Sequence, residues 1–150
     1  MKNKTFPITV IGRVERPDTD PELRGADAIE ALRAERVTIR VEPAFTEGLL
    51  GLEPGDDILV LYYLHQSSGH SLQLHPRGDP TRELRGVFAT RSPNRPTPIA
   101  VTSGRVERVE DNILTVTGLD ALDGSPVLDI KPYAESFDSP YEPPEDPNQQ

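Results

Sequence analysis

The sequence lacks cysteine altogether. This absence excludes disulfide bonds, thiol nucleophiles, thiolate zinc sites and iron–sulfur clusters held by cysteine. No apolar run comes near the roughly 20 residues that a membrane-spanning helix needs, so we expect no membrane association. The opening residues MKNKTFPITVIG contain neither a long apolar segment nor the small-residue cleavage site of a secretory signal. We therefore expect a cytoplasmic protein.

Sequence motifs of several enzyme classes are missing as well. There is no G-x-S-x-G motif, no P-loop and no G-x-G-x-x-G segment after a strand, which leaves serine hydrolases and nucleotide-binding α/β folds without support. The three histidines, His65, His70 and His75, follow one another at intervals of five residues. Strand alternation would turn His70 away from the other two, and no carboxylate lies within this run. We predict no metal site and keep a metal-dependent barrel as an alternative hypothesis.

Charge is distributed unevenly along this acidic chain, whose formal net charge is −9. Binding to nucleic-acid phosphates needs cations, so the overall charge argues weakly against a nucleic-acid-binding protein. Residues 77–95, however, contain five arginines against two carboxylates, a net charge of +3. Residues 138–150 are rich in proline and acidic side chains, and we predict a flexible tail there, following a single domain formed by residues 1–137.

Short segments rich in β-branched and other apolar residues alternate with turn signals. The segments predicted as strands are 8–14, 36–42, 57–64, 84–90, 99–107, 113–119 and 126–130. The run DILVLYYL at 57–64 is uniformly apolar, which is typical of a strand buried on both faces. A short helix is predicted at 27–35. The pattern as a whole predicts a mainly β fold, a barrel or a sandwich, with at most one or two short helices.

A turn rich in arginine and proline lies in GVFATRSPNRPTPIAV, residues 86–101. Each proline restricts its predecessor to extended conformations, so the turn should be stiff. It would present Arg91 and Arg95 with little conformational entropy left to lose. These arginines either face an anionic ligand or pair with the protein's own carboxylates, and the residues alone do not decide between the two.

A second group of polar residues lies in LDALDGSPVLDIKPY, residues 119–133. Asp120, Asp123 and Asp129 fall within ten residues of one another. Carboxylates gathered near one turn could hold a cationic ligand or orient hydroxyl groups. Alternatively, Asp123 serves only the turn, and Asp120 and Asp129 occupy solvent-facing strand positions.

These two segments, preceded by YYLHQ at residues 62–66, closely resemble the TrmO/TsaA-like family of S-adenosylmethionine-dependent tRNA methyltransferases. The resemblance is dense over residues 57–133, and IGRVERP near the N-terminus is similar to the family's opening strand. It implies a small single-domain β-barrel that forms a homodimer, with S-adenosylmethionine bound at or near the subunit interface. It also implies methylation of the exocyclic amine of a threonylcarbamoyl-modified adenosine beside the anticodon of tRNA.

The resemblance also assigns roles to individual residues. Those that match the family's cofactor contacts are His65, Gln66, Arg91, Arg95, Leu122, Asp123 and Gly124. Asp129 and Tyr133 are the catalytic candidates, on side-chain type alone, because a base must take up the proton of the amine. The phosphates of the anticodon loop would meet the arginines of residues 77–95.

Two positions depart from the family's pattern. The family usually carries RPNPIG where this sequence reads RPTPIA, so Thr97 replaces an asparagine and Ala100 replaces a glycine. The methyl group of Ala100 would obstruct a close backbone approach or a positive φ if the glycine serves that purpose. A Gln-Pro-Gly segment near the N-terminus is also missing. Two alternatives therefore stay open: the same cofactor with another acceptor, such as a small molecule or a different nucleoside, or a non-catalytic S-adenosylmethionine-binding module.

Overall fold

The computed structural model describes residues 4–16 and 25–144. The strands in these ranges are β1 Gly12–Glu15, β2 Val37–Val41, β3 Asp57–Tyr63, β4 Gln73–Leu74, β5 Arg85–Gly86, β6 Ile99–Glu110, β7 Ile113–Thr117 and β8 Pro126–Pro132. The helices are α1 Gly25–Ala34 and α2 Glu135–Asp138, with 3₁₀ turns at Pro43–Leu49, Pro76–Gly78 and Val87–Ala89. Six strands close into an antiparallel barrel in the order β1-β2-β7-β6-β3-β8, and β4 pairs with β5 outside it. The predicted mainly β barrel with few short helices is confirmed.

Alternating apolar side chains fill the interior of the barrel. Along β3, Ile58, Val60 and Tyr62 are buried, whereas the intervening side chains face outward. Other strands contribute to the same core through Val14, Val37, Ile39, Val41, Val106, Leu114, Val116 and Val127. Full burial of one such side chain stabilises the fold by roughly 1.5–3 kcal/mol, so this alternation is what holds the barrel closed.

The outward face of β3 corrects one prediction. Leu59 and Leu61 are only half-buried and Tyr63 is 42% exposed, so this apolar strand is not buried on both faces within one copy of the chain. The residues opposite Leu61 and Tyr63 on β6 are Val101 and Ile99, which are also apolar. We call these five side chains, Leu59, Leu61, Tyr63, Ile99 and Val101, the apolar wall.

The strand predicted at 84–90 is largely wrong. Only Arg85–Gly86 pairs with β4, and the next three residues form a 3₁₀ turn. Beyond Gly86 the ladder would have to continue against Leu72 and the residues before it, which form no strand; only the N–H of Val87 still donates to the carbonyl of Leu72, at 2.9 Å. The turn buries Val87, whereas Phe88 is 79% exposed.

The other predicted strands and the helix agree with the structure apart from their ends. Strand β1 begins only at Gly12, and β6 continues to Glu110, where Asp111 reverses the chain with a φ of 52°. Among the helices that the structure describes, none has both the length and the apolar character needed to cross a bilayer. The domain boundary at residue 137 and the flexible tail stay predictions, and residues 145–150 lie outside the described ranges.

Three connections meet at one end of the barrel, which we call the loop end. The register places Tyr63 beside Ile99 and Tyr62 beside Val127, so the segments 64–98 and 118–125 leave the barrel together. The end of β1 joins them, because the backbone of Val14 exchanges hydrogen bonds with residues 124 and 125. The loop end therefore collects segments that are far apart in the sequence.

Candidate functional site

The residues on either side of the HQ pair at 65–66 are joined to the arginine-proline turn. Ser67 Oγ donates a hydrogen bond of 2.8 Å to the carbonyl of Pro93. The backbone N–H of Ser71 donates to the carbonyl of Asn94 at 3.2 Å. Both members of the HQ pair are exposed, so their side chains are open to a ligand beside the turn.

The two arginines of the turn have different roles. Arg95 is half-buried, and its Nη1 donates to the carbonyls of Thr90 at 3.1 Å and Ser92 at 3.2 Å, which braces the turn from within. Arg91 is exposed, and its nearest polar contact is the carbonyl of Val101 at 3.5 Å. Neither guanidinium takes part in an ion pair within residues 4–16 and 25–144. Pairing with the protein's own carboxylates is therefore not what the described structure shows.

The segment 122–124 reaches His65 through Gly124. A Cβ atom on Gly124 would lie 3.8 Å from Nε2 of His65, so the imidazole stands directly over this glycine. The backbone N–H of Gly124 donates to the carbonyl of Val14 at 2.8 Å, and Ser125 Oγ donates to the carbonyl of Leu122 at 2.7 Å. Two of the predicted cofactor-contacting segments thus meet at the loop end.

Asp123 is tethered over a long distance rather than serving only its own turn. Its Oδ1 accepts a hydrogen bond of 2.6 Å from the backbone N–H of Arg16. The carboxylate is otherwise exposed. One oxygen of Asp123 is thereby oriented by the protein, and the other faces outward for a ligand donor.

Arg16 is a residue that our sequence reasoning missed. Its side chain is only 2% exposed. The guanidinium donates to the carbonyls of Ala121 at 3.1 Å, Leu119 at 2.8 Å and Leu32 at 3.0 Å, and to Glu35 Oε2 at 2.7 Å. The signal was strand alternation: Gly12 and Val14 point inward along β1, and so does the next alternate position, 16.

Asp120 also lies elsewhere than expected. Instead of facing solvent, its Oδ1 accepts hydrogen bonds of 2.7 Å from both Tyr62 Oη and Thr102 Oγ1 at the end of the barrel interior. Burial raises the pKa of Tyr62 well above its usual range, and the negative charge of Asp120 adds to this rise. The hydrogen bond with Thr102 acts in the opposite direction. The phenol stays a hydrogen-bond donor, and the three side chains form a satisfied polar group.

The two catalytic candidates lie on the outside of β8. Asp129 is opposite Leu61 and pairs with Lys131 through a contact of 2.7 Å, which raises the pKa of Lys131. Tyr133 follows the strand end, where its N–H donates to the carbonyl of Asp57 at 2.9 Å. Because a strand rises about 3.3 Å per residue, Tyr133 lies roughly 20 Å along β8 from its loop end. One copy of the chain therefore does not bring Tyr133 together with the cofactor-contacting set, whereas Asp129 lies nearer the loop end, on the outer face of the barrel.

A cationic arm, defined as residues 77–91, projects beside the barrel. Arg82 pairs with Asp79 at 3.4 Å. Arg77, Arg85 and Arg91 take part in no ion pair within the part of the chain that the structure describes. The arm therefore carries exposed positive charge next to the exposed ring of Phe88.

The histidines do not converge. His75 Nδ1 lies 2.7 Å from the carbonyl oxygen of Arg82, and His65 stands over Gly124. Within the described ranges, no group of three potential ligands from His, Asp and Glu side chains is placed to hold a metal ion.

Comparison with known proteins points to one family. The family model described as the tRNA-methyltransferase O N-terminal domain matches residues 27–139. A probable S-adenosyl-L-methionine-binding protein of Methanothermobacter thermautotrophicus is 48% identical over 140 residues, which cover 93% of this chain and 96% of the relative. A tRNA (adenine(37)-N6)-methyltransferase of Mus musculus is 42% identical over 95 residues, or 61% of this chain and 22% of the relative.

A solved structure shares the fold. The crystal structure of TrmO from Pseudomonas aeruginosa matches with a TM-score of 0.71 at 32% identity, over 93% of this chain and 61% of that chain. The chain thus spans about three fifths of the TrmO chain whose structure it matches.

Proposed function

The chain belongs to the family of tRNA-methyltransferase O N-terminal domains, and on that premise we propose that it is an S-adenosylmethionine-dependent methyltransferase acting on tRNA. The acceptor is the exocyclic N6 amine of an adenosine next to the anticodon, in its threonylcarbamoyl-modified form. The observation that carries this proposal is the meeting of the HQ pair, the arginine-proline turn and the segment 122–124 at the loop end.

The side chains at the loop end fit the chemical groups of the cofactor. S-adenosylmethionine supplies an electrophilic methyl group on a sulfonium and also carries a carboxylate, an amine and ribose hydroxyls. Arg91 offers an exposed guanidinium for the carboxylate. Asp123 offers its outward oxygen to a hydroxyl or an amine, and His65 offers a ring nitrogen beside Gly124. Arg95 contributes by keeping the turn in shape.

We include a homodimer in the proposal because of the apolar wall. Exposed apolar patches on soluble proteins mark interaction sites, and Tyr63 and Val101 are 42% and 37% exposed within one copy. A second copy of the chain is the occupant that the resemblance implies. Asp129 borders the wall through its position opposite Leu61, so burial of the wall would place it at the subunit interface.

A dimer would also explain how catalytic candidates on the outside of β8 could reach the cofactor-contacting residues at the loop end. Asp129 and Tyr133 of one subunit would serve the loop end of the other, where the acceptor amine loses its proton. The carboxylate of Asp129 already accepts a hydrogen bond from the backbone of Ile130 at 2.9 Å and pairs with Lys131. Tyr133, which is 46% exposed, is the more accessible of the two candidates.

The cationic arm is the surface that we assign to tRNA. Arg77 and Arg85 can each meet a phosphate, and the exposed ring of Phe88 can stack on an unpaired base of the anticodon loop. Because the whole chain carries a net charge of −9, binding should be weak and sensitive to salt. A tRNA substrate is in keeping with a cytoplasmic location.

Nucleoside mass spectrometry of tRNA from a deletion strain tests the proposal. We expect the methylated form of threonylcarbamoyl-adenosine to disappear and its unmethylated precursor to accumulate. An unchanged profile, combined with calorimetric binding of S-adenosylmethionine, would favour another acceptor or a non-catalytic binding module. Absence of cofactor binding would reject the methyltransferase itself.

A charge deletion tests the tRNA surface separately. Arg77→Ala combined with Arg85→Ala should weaken tRNA binding and reduce its dependence on salt, because two phosphate contacts are lost. The matched control is Arg13→Ala combined with Arg108→Ala, which also removes two exposed arginines, paired with Glu42 and Glu110 outside the arm. Equal affinity of the arm variant and the control variant for tRNA would refute the assignment of the arm.

A further inference from the structure

The buried guanidinium of Arg16 joins two parts of the loop end. On one side it donates to carbonyls of the segment 119–121, and on the other to the C-terminal part of α1 and to Glu35. A buried cation is strongly destabilising when it loses its partners, so these contacts hold Arg16 in a single arrangement. Since its backbone N–H also orients Asp123, Arg16 contacts three alternate residues, Leu119, Ala121 and Asp123, at and just before the predicted cofactor-contacting segment 122–124.

Asp120 holds the same segment from the opposite direction. It lies between the two carbonyls that Arg16 binds, and its side chain points into the end of the barrel. Its donors, Tyr62 and Thr102, come from the neighbouring strands β3 and β6. Arg16 fixes the backbone of this segment, and β3 and β6 fix the side chain of Asp120 within it. The segment therefore has few accessible conformations.

We infer that Arg16 and Asp120 are positioning residues, which hold the segment Leu119–Gly124 in the arrangement that binds the cofactor. The inference rests on the proposed binding of S-adenosylmethionine at this segment. The guanidinium of Arg16 acts through the carbonyls of Leu119 and Ala121, on either side of Asp120. Asp120 acts through its own carboxylate, which Tyr62 and Thr102 hold. Neither residue has to touch the cofactor.

Cofactor affinity measures this role. When a protein adopts its binding-competent arrangement for only a fraction of the time, its apparent Kd for the ligand equals the intrinsic Kd divided by that fraction. Arg16→Lys keeps the charge but replaces a planar fork of donors by one ammonium group, which cannot reach carbonyls on both sides. If the segment then holds its arrangement for about a tenth of the time, the Kd for the cofactor rises about tenfold.

The experiment compares full-length variants by calorimetry with S-adenosylmethionine and by amide hydrogen exchange without it. Arg16→Lys should raise the Kd and accelerate exchange selectively within residues 119–125. Tyr62→Phe removes one donor from Asp120 with little change of shape and should move both quantities in the same direction by less. Val41→Ala is the control, because Val41 is buried beside the β6–β7 turn and its truncation lowers stability away from this segment.

Each outcome decides the inference. The inference would be overturned if folded Arg16→Lys showed the wild-type affinity for the cofactor and the wild-type exchange rate. It would also be overturned if the changes in Arg16→Lys were no larger than those in Val41→Ala at the same loss of stability. If Arg16→Lys does not fold, the same comparison with Tyr62→Phe decides. A wild-type protein that binds no S-adenosylmethionine would reject the proposed function, and the exchange measurement would then decide alone whether Arg16 and Asp120 position the segment.

Discussion

Replacement of Gly118 by alanine tests how tightly the loop end closes on the barrel. Gly118 has a φ of +95°, and a Cβ atom there would lie 2.9 Å from the carbonyl oxygen of Ser103 and 3.2 Å from Cα of Gly104. Both atoms belong to the backbone of β6 and cannot rotate away. On the other side, Gly118 exchanges two hydrogen bonds with Arg33, of 2.9 Å and 2.8 Å. A shift that relieved the contact would therefore strain the junction with α1.

A second glycine separates the two contributions to this cost. Gly55 has a φ of +97° but nothing within 4 Å of its added Cβ, so Gly55→Ala should cost only the backbone strain, about 1–2 kcal/mol. Gly118→Ala adds overpacking against β6, typically about 1–3 kcal/mol, which gives roughly 2–5 kcal/mol in total. For a chain of this size, each kcal/mol lowers Tm by roughly 2–4 °C.

Urea denaturation of the two variants and the wild type measures the difference directly. The free energy of unfolding of Gly118→Ala should lie clearly below that of Gly55→Ala, with similar m-values. If the two variants lose the same stability, β6 yields to the added methyl group at little cost. The reasoning that the loop end is rigidly joined to the barrel would then be refuted.

Three other perturbations have expected outcomes. Burial raises the pKa of Tyr62 above its ordinary value of 10.0, so the folded protein keeps this phenol protonated where the unfolded chain loses the proton. The free energy of unfolding should therefore fall as the pH rises above 10, by up to about 1.4 kcal/mol per pH unit. Urea denaturation at about pH 8 and about pH 11 should show a smaller fall for Tyr62→Phe than for the wild type. A hydrogen bond from Arg40 lowers the pKa of Glu15 below its ordinary value of 4.5. The pair therefore stabilises the fold above that pH and loses its effect as the pH falls through the folded pKa. Thermal unfolding should show Glu15→Gln less stable than the wild type at neutral pH but not in acid. If a second copy covers the apolar wall as proposed, Val101→Glu should yield monomers in sedimentation where the wild type sediments as a dimer, whereas an unchanged mass would show that the apolar wall is not the interface.

The apolar segments and the turn signals between them predicted much of the fold because they depend on neighbouring residues alone. The predicted segments 36–42, 57–64 and 113–119 each contain one strand of the barrel, β2, β3 and β7. The same local rule misjudged Leu59 and Leu61, because an apolar side chain on a strand does not reveal whether its cover comes from the same chain. It also misjudged 84–90, where the two-residue partner strand ends too early to support a longer ladder.

The contacts that shape the candidate site could not be predicted in the same way. The hydrogen bonds of Arg16 with residues 119–123 join parts of the chain more than a hundred residues apart. Those of Asp120 with Tyr62 and Thr102 depend on where the closed barrel places three different segments. Alternation could have placed Arg16 inside the barrel, but only the three-dimensional structure identifies which carbonyls meet its guanidinium.

The structure also separates the two departures from the RPNPIG pattern. Ala100 lies in β6 opposite Tyr62, in extended strand backbone, and packs against the core. Its methyl group therefore fills interior space, and the concern that it replaces a glycine needed for a positive φ does not apply. Thr97, by contrast, is exposed in the turn beside Arg95. Of the two departures, Thr97 is therefore the better placed to affect which acceptor binds, because its side chain is exposed in the turn whereas Ala100 is partly buried and packs against the core.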